Sequence, residues 1–332
     1  MPSTVRAFSG VQPTGSLHLG NFLGAVRPWV DNQVGRDNLF CVVNLHALTI
    51  PEAVAPAQLA AHSRQVAALF LAAGIDPDHA AVFLQSAIRE HTELAWILNC
   101  VTPLGWLERM TQFKSKAEGR DTVGTGLLDY PVLQAADILL YDTNTVPVGE
   151  DQRQHIELAR DIALRFNHLF GETLVVPSVS LPPAGARVMG LDEPTVKMSK
   201  SIAVARPGHA VGLMDPPKTI QKKVNRAVTD SGCVYDPATA SPGVVNLMGI
   251  LSALTAEPVP AIAARFDGRG YGFLKAEVGE AIIAALTPIQ ERYAALTDDP
   301  ATLDRVLDAS TERVRAIAAT TMARVRRAVG LI

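Results

Sequence analysis

Along the first half of the chain, short runs rich in β-branched and aromatic residues alternate with stretches whose apolar positions repeat at helical spacing. Residues 5–9, 38–43, 81–84 and 145–148 read as strands, and residues 19–30, 58–72 and 93–101 as helices. Gly74-Ile75-Asp76-Pro77 stops one of those helices as a turn. Alternation of this kind predicts a parallel sheet wrapped by helices, the doubly wound α/β class. From Glu150 an amphipathic helix sets Ile156, Ala159, Ala163 and Phe166 on one face, with Glu150 and Asp151 as acids in its first turn. Beyond Gly212 the strand signal fades, and helical patterns over residues 218–229, 244–253 and 274–296 predict a smaller all-helical domain. A last helix opens at Asp299-Pro300 and carries Leu303, Leu307, Val314, Ile317 and Val325 as an apolar stripe.

With 332 residues, 48% hydrophobic and 19% charged, the chain has the makings of a large packed core and none of the composition of a disordered one. No apolar run approaches the roughly 18 to 20 residues of a membrane span, and the N-terminus lacks the apolar core of a secretory signal. Cys41, Cys100 and Cys233 are odd in number and far apart, which fits reduced thiols in a cytoplasm better than a disulfide framework. A net charge of −3 means that a nucleic-acid partner would have to be met by a local basic patch. Lys218, Lys222, Lys223 and Arg226 form one candidate, and Arg313, Arg315, Arg324, Arg326 and Arg327 another; a solvated helix face explains either equally well.

The chemistry concentrates in two short strings. After the first predicted strand, Gly10, Gly15 and Gly20 allow close backbone approach, and the following helix N-terminus favours anions. Neither G-x-G-x-x-G nor a P-loop is present there. Far along the chain, Lys197-Met198-Ser199-Lys200-Ser201 sets two lysines among hydroxyls, the composition of a loop that closes over a polyphosphate.

Thr14-Gly15-Ser16-Leu17-His18-Leu19-Gly20-Asn21 resembles the first signature of class I aminoacyl-tRNA synthetases, and the Lys197 to Ser201 string is identical to their second. The strings Glu108 to Lys114, Tyr130 to Tyr141, Val146 to Gln152, Ala227 to Ser231 and Pro288 to Tyr293 closely resemble bacterial tryptophanyl-tRNA synthetases, so the similarity covers nearly the whole chain. The resemblance implies a Rossmann-like catalytic domain over residues 1–212 and 298–332, and a helical domain over 213–297 that meets the tRNA anticodon. It further implies activation of L-tryptophan with ATP, carried with Mg²⁺ that has no dedicated protein site, transfer to the 3′ end of tRNA(Trp), and a homodimer.

Under the same resemblance, Lys197 and Lys200 stabilise the departing pyrophosphate, with Ser199, His18 and Lys114 beside them and Lys116 adding charge. Gln12, Pro13, Thr14, His18, Gly20 and Asn21 line the nucleotide, together with Met198 and Ser201 of the loop. Gly149, Glu150 and Asp151 hold the ribose side, and Val188 borders the adenine. Asp137 is the acceptor for the indole N–H, a group that can only donate. Gln134 and Asp137 share a helix face with Tyr130 a turn earlier; Tyr130, Gln134 and Gln152 hold the ammonium. Phe8, Gly10, Val146 and Val148 shape the slot for the ring, and His46 joins the site from the end of the second strand.

Asn44 and Trp106 depart from the family pattern, standing where Asp and Glu are usual. Two further readings stay open at this point. Gln134-Ala135-Ala136-Asp137 also resembles the tyrosine site of the sister enzyme, tyrosyl-tRNA synthetase, and an idle paralogue that only binds tRNA or tryptophan would keep the same fold.

Overall fold

The computed structural model describes residues 5–13, 17–119, 122–147, 149, 152–180 and 187–332. Five parallel strands, β1 (Arg6–Val11), β2 (Asp37–Val42), β3 (Ala80–Leu84), β4 (Thr145–Pro147) and β5 (Ser178–Ser180), lie in the order β3-β2-β1-β4-β5. The chain winds outward from β1 through β2 to β3 and then returns to place β4 on the other side of β1. That reversal opens a crevice beyond the carboxyl ends of β1 and β4, where ligands of doubly wound sheets sit.

Side-chain alternation along the central strands divides the interior in two. Phe40, Val42, Ala80 and Val82 point into one apolar cluster with α3 (Pro56–Ala72), α10 (Pro217–Asn225), α11 (Pro242–Thr255), α12 (Val259–Phe266) and α13 (Tyr271–Asp298). Leu39, Cys41, Ala81 and Phe83 point into the other with α4 (Glu90–Asn99), α7 (Thr125–Leu139), α8 (Arg153–Phe170) and α14 (Pro300–Ala328). α14 returns to β3 and buries Val314, Ala318, Met322 and Val325 there. Among the described residues no single helix is long and apolar enough to cross a membrane.

Several expectations change. The helix predicted over residues 19–30 is broken into α1 (Leu19–Asn21), a π-helical turn Phe22–Val26 and α2 (Arg27–Asp31). Pro28 has no N–H for an α-helical bond, and Arg27 N–H reaches back five residues to Phe22 O. α8 is described from Arg153; Glu150 and Asp151, expected in its first turn, lie outside the described residues. β5, three residues long, was not predicted. The short helices α5 (Leu104–Glu108), α6 (Thr111–Ala117) and α9 (Lys200–Ala205) complete the described α-helices.

The basic C-terminal cluster is largely consumed by the fold. Arg313 pairs with Asp37 of β2, Arg324 with Asp142 before β4 and Arg326 with Glu93 of α4, which ties α14 to the rest of the layer, while Arg315 pairs with Glu312 within α14. Lys223 is likewise structural, bonded to Asp215 at 2.7 Å and to Ala210 O at 2.8 Å, whereas Lys218, Lys222 and Arg226 stay exposed.

Candidate active site

At one end of the crevice the two signature strings, almost 180 residues apart in the chain, lie side by side, each held by backbone pairing to a neighbouring segment. Leu19 N–H donates to Val211 O at 2.8 Å and Leu213 N–H to Leu17 O at 2.9 Å, a two-sided bridge centred on His18 and Gly212. Asp215 accepts from Gly212 N at 2.8 Å and is itself held by Lys223. A second bridge, Met189 to Lys197, with Met198 N–H donating to Val188 O at 3.1 Å, carries the lysine string to the same place. Gly20 matters here because a Cβ on it would meet the His18 ring at 3.1 Å and Met198 Cβ at 3.5 Å. Met198 is buried against that bare backbone, as is Val188 nearby.

His18 caps α1: its Nδ1 accepts from Asn21 N, while Asn21 Oδ1 accepts from His18 N, each at 3.2 Å. Burial, followed by the charges of Lys200, His209 and Lys197, lowers its pKa to about 4, so near neutrality the ring is an uncharged imidazole. Ser199 caps α9 by accepting from Ile202 N at 3.4 Å. That turns Lys200 inward, where its Nζ donates to Gln12 O at 3.4 Å and burial brings its pKa down to about 8. Lys197 and Ser201 are exposed beside it. An ammonium that burial has disfavoured gains most from an incoming anion.

At the other end of the crevice, α7 carries Tyr130, Gln134 and Asp137. Asp137 is 1% exposed and surrounded by donors. Gln85 Nε2 donates to its Oδ1 at 2.7 Å, His46 Nε2 lies 2.8 Å from its Oδ2, and His91 Nδ1 lies 2.7 Å from Oδ1. Burial alone would raise this carboxyl, but the charges of His91 and His46 and the hydrogen bonds from both outweigh it and hold its pKa at about 2. Gln85 is oriented by accepting from Leu45 N at 2.9 Å, and Tyr141 OH lies 2.7 Å from His91 Nε2. Phe8 stacks on Tyr141 with centroids 5.9 Å apart. Val146 is buried on the neighbouring strand, and Gly10 leaves its backbone bare because a Cβ would strike Val43 Cγ1 at 2.9 Å.

Between the two ends, Gln134 Nε2 donates to Gln152 Oε1 at 3.4 Å. Tyr130 OH lies 2.8 Å from His155 Nε2, and burial pushes the phenol up to about 12. Lys116 Nζ sits 4.9 Å from the centre of the Tyr130 ring, and burial lowers its pKa.

The structure thus brings together His18, Gly20, Asn21, Gln12, Met198, Ser199 and Lys200 in one cluster and Phe8, His46, Tyr130, Gln134, Asp137 and Gln152 in another. Pro13 is buried next to Gln12, and Gly149 is exposed after β4. Thr14, Val148, Glu150 and Asp151 lie outside the described residues. Lys114 is exposed on α6; it is Lys116, two residues on, that reaches Tyr130. Reasoning from sequence missed Gln85, His91, His155 and His209. Only Gln85 left a signal, as a polar residue directly after a strand in the direction where such sheets bind ligands. Asn44 makes a reciprocal link to Ser86, donating to its Oγ at 2.8 Å and accepting from its N at 3.0 Å, which ties the ends of β2 and β3. Trp106 is half-buried against the core on the α4 and α7 side.

The chain matches the family described as tRNA synthetases class I (W and Y) over residues 2–287. It is 49% identical over 328 residues to the tryptophan–tRNA ligase of Wolinella succinogenes, covering 98% of this chain and 99% of that protein. It is 48% identical over 332 residues to tryptophan–tRNA ligase 2 of Streptomyces avermitilis, covering 98% and 97%. The solved structure of tryptophanyl-tRNA synthetase from Campylobacter jejuni, complexed with ADP and tryptophan, superposes with a TM-score of 0.84 at 36% identity, covering 98% of this chain and 100% of that one. With both signatures brought close together at the head of a doubly wound sheet and these likenesses running the length of the chain, the protein belongs to the tryptophan and tyrosine group of class I tRNA synthetases.

Proposed function

We propose that the chain is a tryptophan–tRNA ligase, which joins tryptophan to ATP as an adenylate with release of pyrophosphate and then passes the amino acid to tRNA(Trp). One observation carries the reading: the crevice has a phosphate end built from His18 and Lys200 and an amino-acid end built on an ionised, buried Asp137. A carboxylate oxygen of the amino acid attacks the α-phosphorus, and the bond to the bridging oxygen breaks toward pyrophosphate. Little covalent help is needed, so the protein's part is alignment and charge. Lys200 and Lys197 face the leaving group. Neutral His18 donates from Nε2, because its Nδ1 is committed to the Asn21 N–H.

For the amino acid, Asp137 Oδ1 already meets two donors and Oδ2 only one, which leaves Oδ2 room to accept an indole N–H. Gln134, Gln152 and the Tyr130 region receive the ammonium. Tryptophan is favoured over tyrosine because the relatives that match along their whole length at 48% to 49% identity bear the tryptophan name. Among the described residues no group of three or more His, Cys, Asp or Glu is placed to hold a metal, and we read the Mg²⁺ as carried in with ATP. We assign the exposed Lys218, Lys222 and Arg226 on the helical region 213–297 to tRNA contact, and read the protein as a cytoplasmic homodimer. Aminoacylation of tRNA(Trp) and tRNA(Tyr) with each cognate amino acid tests the reading. Charging of tRNA(Trp) alone supports it, and charging of tRNA(Tyr) alone contradicts it.

A further inference from the structure

His209 lies outside both signatures, yet it is 0% exposed and touches the backbone from which the lysine loop springs. Its Nδ1 is 2.6 Å from Asp192 Oδ1 and its Nε2 is 3.3 Å from Lys197 O. Its own carbonyl accepts from Leu191 N at 3.0 Å. The ring fills a notch made by Gly190: a Cβ there would lie 2.2 Å from the imidazole, so the backbone is cut away to admit it. Both ring nitrogens face oxygens that only accept, a carboxylate and a carbonyl. A neutral imidazole has one N–H and can serve only one of them; the imidazolium serves both.

We infer that His209, held by Asp192, is a positioning residue for the phosphate end of the site: as an imidazolium it pins the Lys197 carbonyl and thereby sets the lysine loop against the His18 turn. The inference rests on the proposed adenylation reaction. The titratable groups around His209 are Asp192 and Glu193 on the preceding turn, Arg206 at the end of α9, Lys197 on the loop and neutral His18 across the crevice, with Lys200 beyond it. Arg206 bonds Glu193 at 2.7 Å and approaches Asp192 at 3.5 Å, which leaves the Asp192 Oδ1 to the histidine. Without a donor on both ring nitrogens, either the Lys197 carbonyl or the Asp192 carboxylate goes unmet and the loop base loosens. The amino-acid end, whose polar contacts come from the segments after β2 and β3, from α4 and from α7, is untouched by that change.

The test is tryptophan-dependent ATP–pyrophosphate exchange by the wild type, His209→Gln and Asp192→Asn, with kcat/KM for ATP and KM for tryptophan measured separately. A thermal melt of each protein runs alongside, and Asp192→Asn, which keeps the side-chain volume and the histidine, stands in if His209→Gln does not fold. Each variant is expected to lose about tenfold or more in kcat/KM for ATP, with KM for tryptophan within about twofold of wild type. A merely structural role would lower both substrates' parameters together, and that result overturns the inference, as does wild-type behaviour in a folded variant. A wild type without tryptophan-dependent exchange would instead overturn the proposed reaction itself, and the inference with it.

Discussion

The two ends of the crevice solve opposite electrostatic problems. At the end proposed for the amino acid, a fully buried carboxylate is held ionised by His46, His91 and Gln85, all supplied by the chain, so under the proposed function the acceptor is set before any substrate arrives. At the phosphate end, burial works against the charge it encloses: Lys200 is brought down to about 8 and His18 to about 4. One end is built for shape and donor geometry, and the other for an incoming anion. Selectivity and rate should therefore separate under mutation.

The largest effect is expected at Lys200. Lys200→Met should lower the exchange rate by about 10²- to 10³-fold, the scale of losing one preorganised charge on a transition state, with KM for tryptophan little changed. Single-turnover measurements with either substrate saturating check this. Asp137→Asn should act at the other end, lowering kcat/KM for tryptophan by about 10²-fold and stability by about 3 kcal/mol, because the donors of His46, His91 and Gln85 lose their ion. Denaturant melts beside amino-acid kinetics separate the two losses.

pH sharpens the same contrast. Lys200 carries its charge below about 8 and loses it above, so kcat/KM for ATP should fall roughly tenfold by about pH 9 while tryptophan binding does not follow. The Asp137 carboxyl is lowered from 3.8 to about 2, so the ionised form is favoured by folding. That contribution, about 2 kcal/mol, is complete above the unfolded value and disappears as pH falls through about 2. Acid melts of the wild type and Asp137→Asn should converge in that range. The smallest effect divides neighbours: Lys116→Met should cost a few-fold in exchange through its seat on Tyr130, and Lys114→Met, exposed on α6, should cost less than about twofold.

Which parts of this were legible in the sequence follows from how local their causes are. β1 to β4 were visible because buried parallel strands are short apolar runs between turns, and the lysine string because its residues are contiguous. Tyr130, Gln134 and Asp137 were readable as a cluster because they share one helix. β5 escaped because Ser-Val-Ser has no strand signature without β4 beside it. The π-helical turn escaped because Pro28 removes a donor without altering the apolar pattern around it. His91 and His209 were invisible for a different reason. The first gains meaning from an acid 46 positions away and the second from the Lys197 carbonyl and a glycine notch, both set by tertiary contact. The C-terminal arginines looked like a patch because their acidic partners, such as Asp37, Glu93 and Asp142, are scattered through the first half of the chain.

ATP–pyrophosphate exchange with each of the twenty amino acids tests the central claim most directly. The account predicts exchange with tryptophan at least about 10³-fold above every other amino acid, tyrosine included, and loss of that exchange in Lys200→Met. Exchange driven by tyrosine in preference to tryptophan, or none with any amino acid, would contradict it.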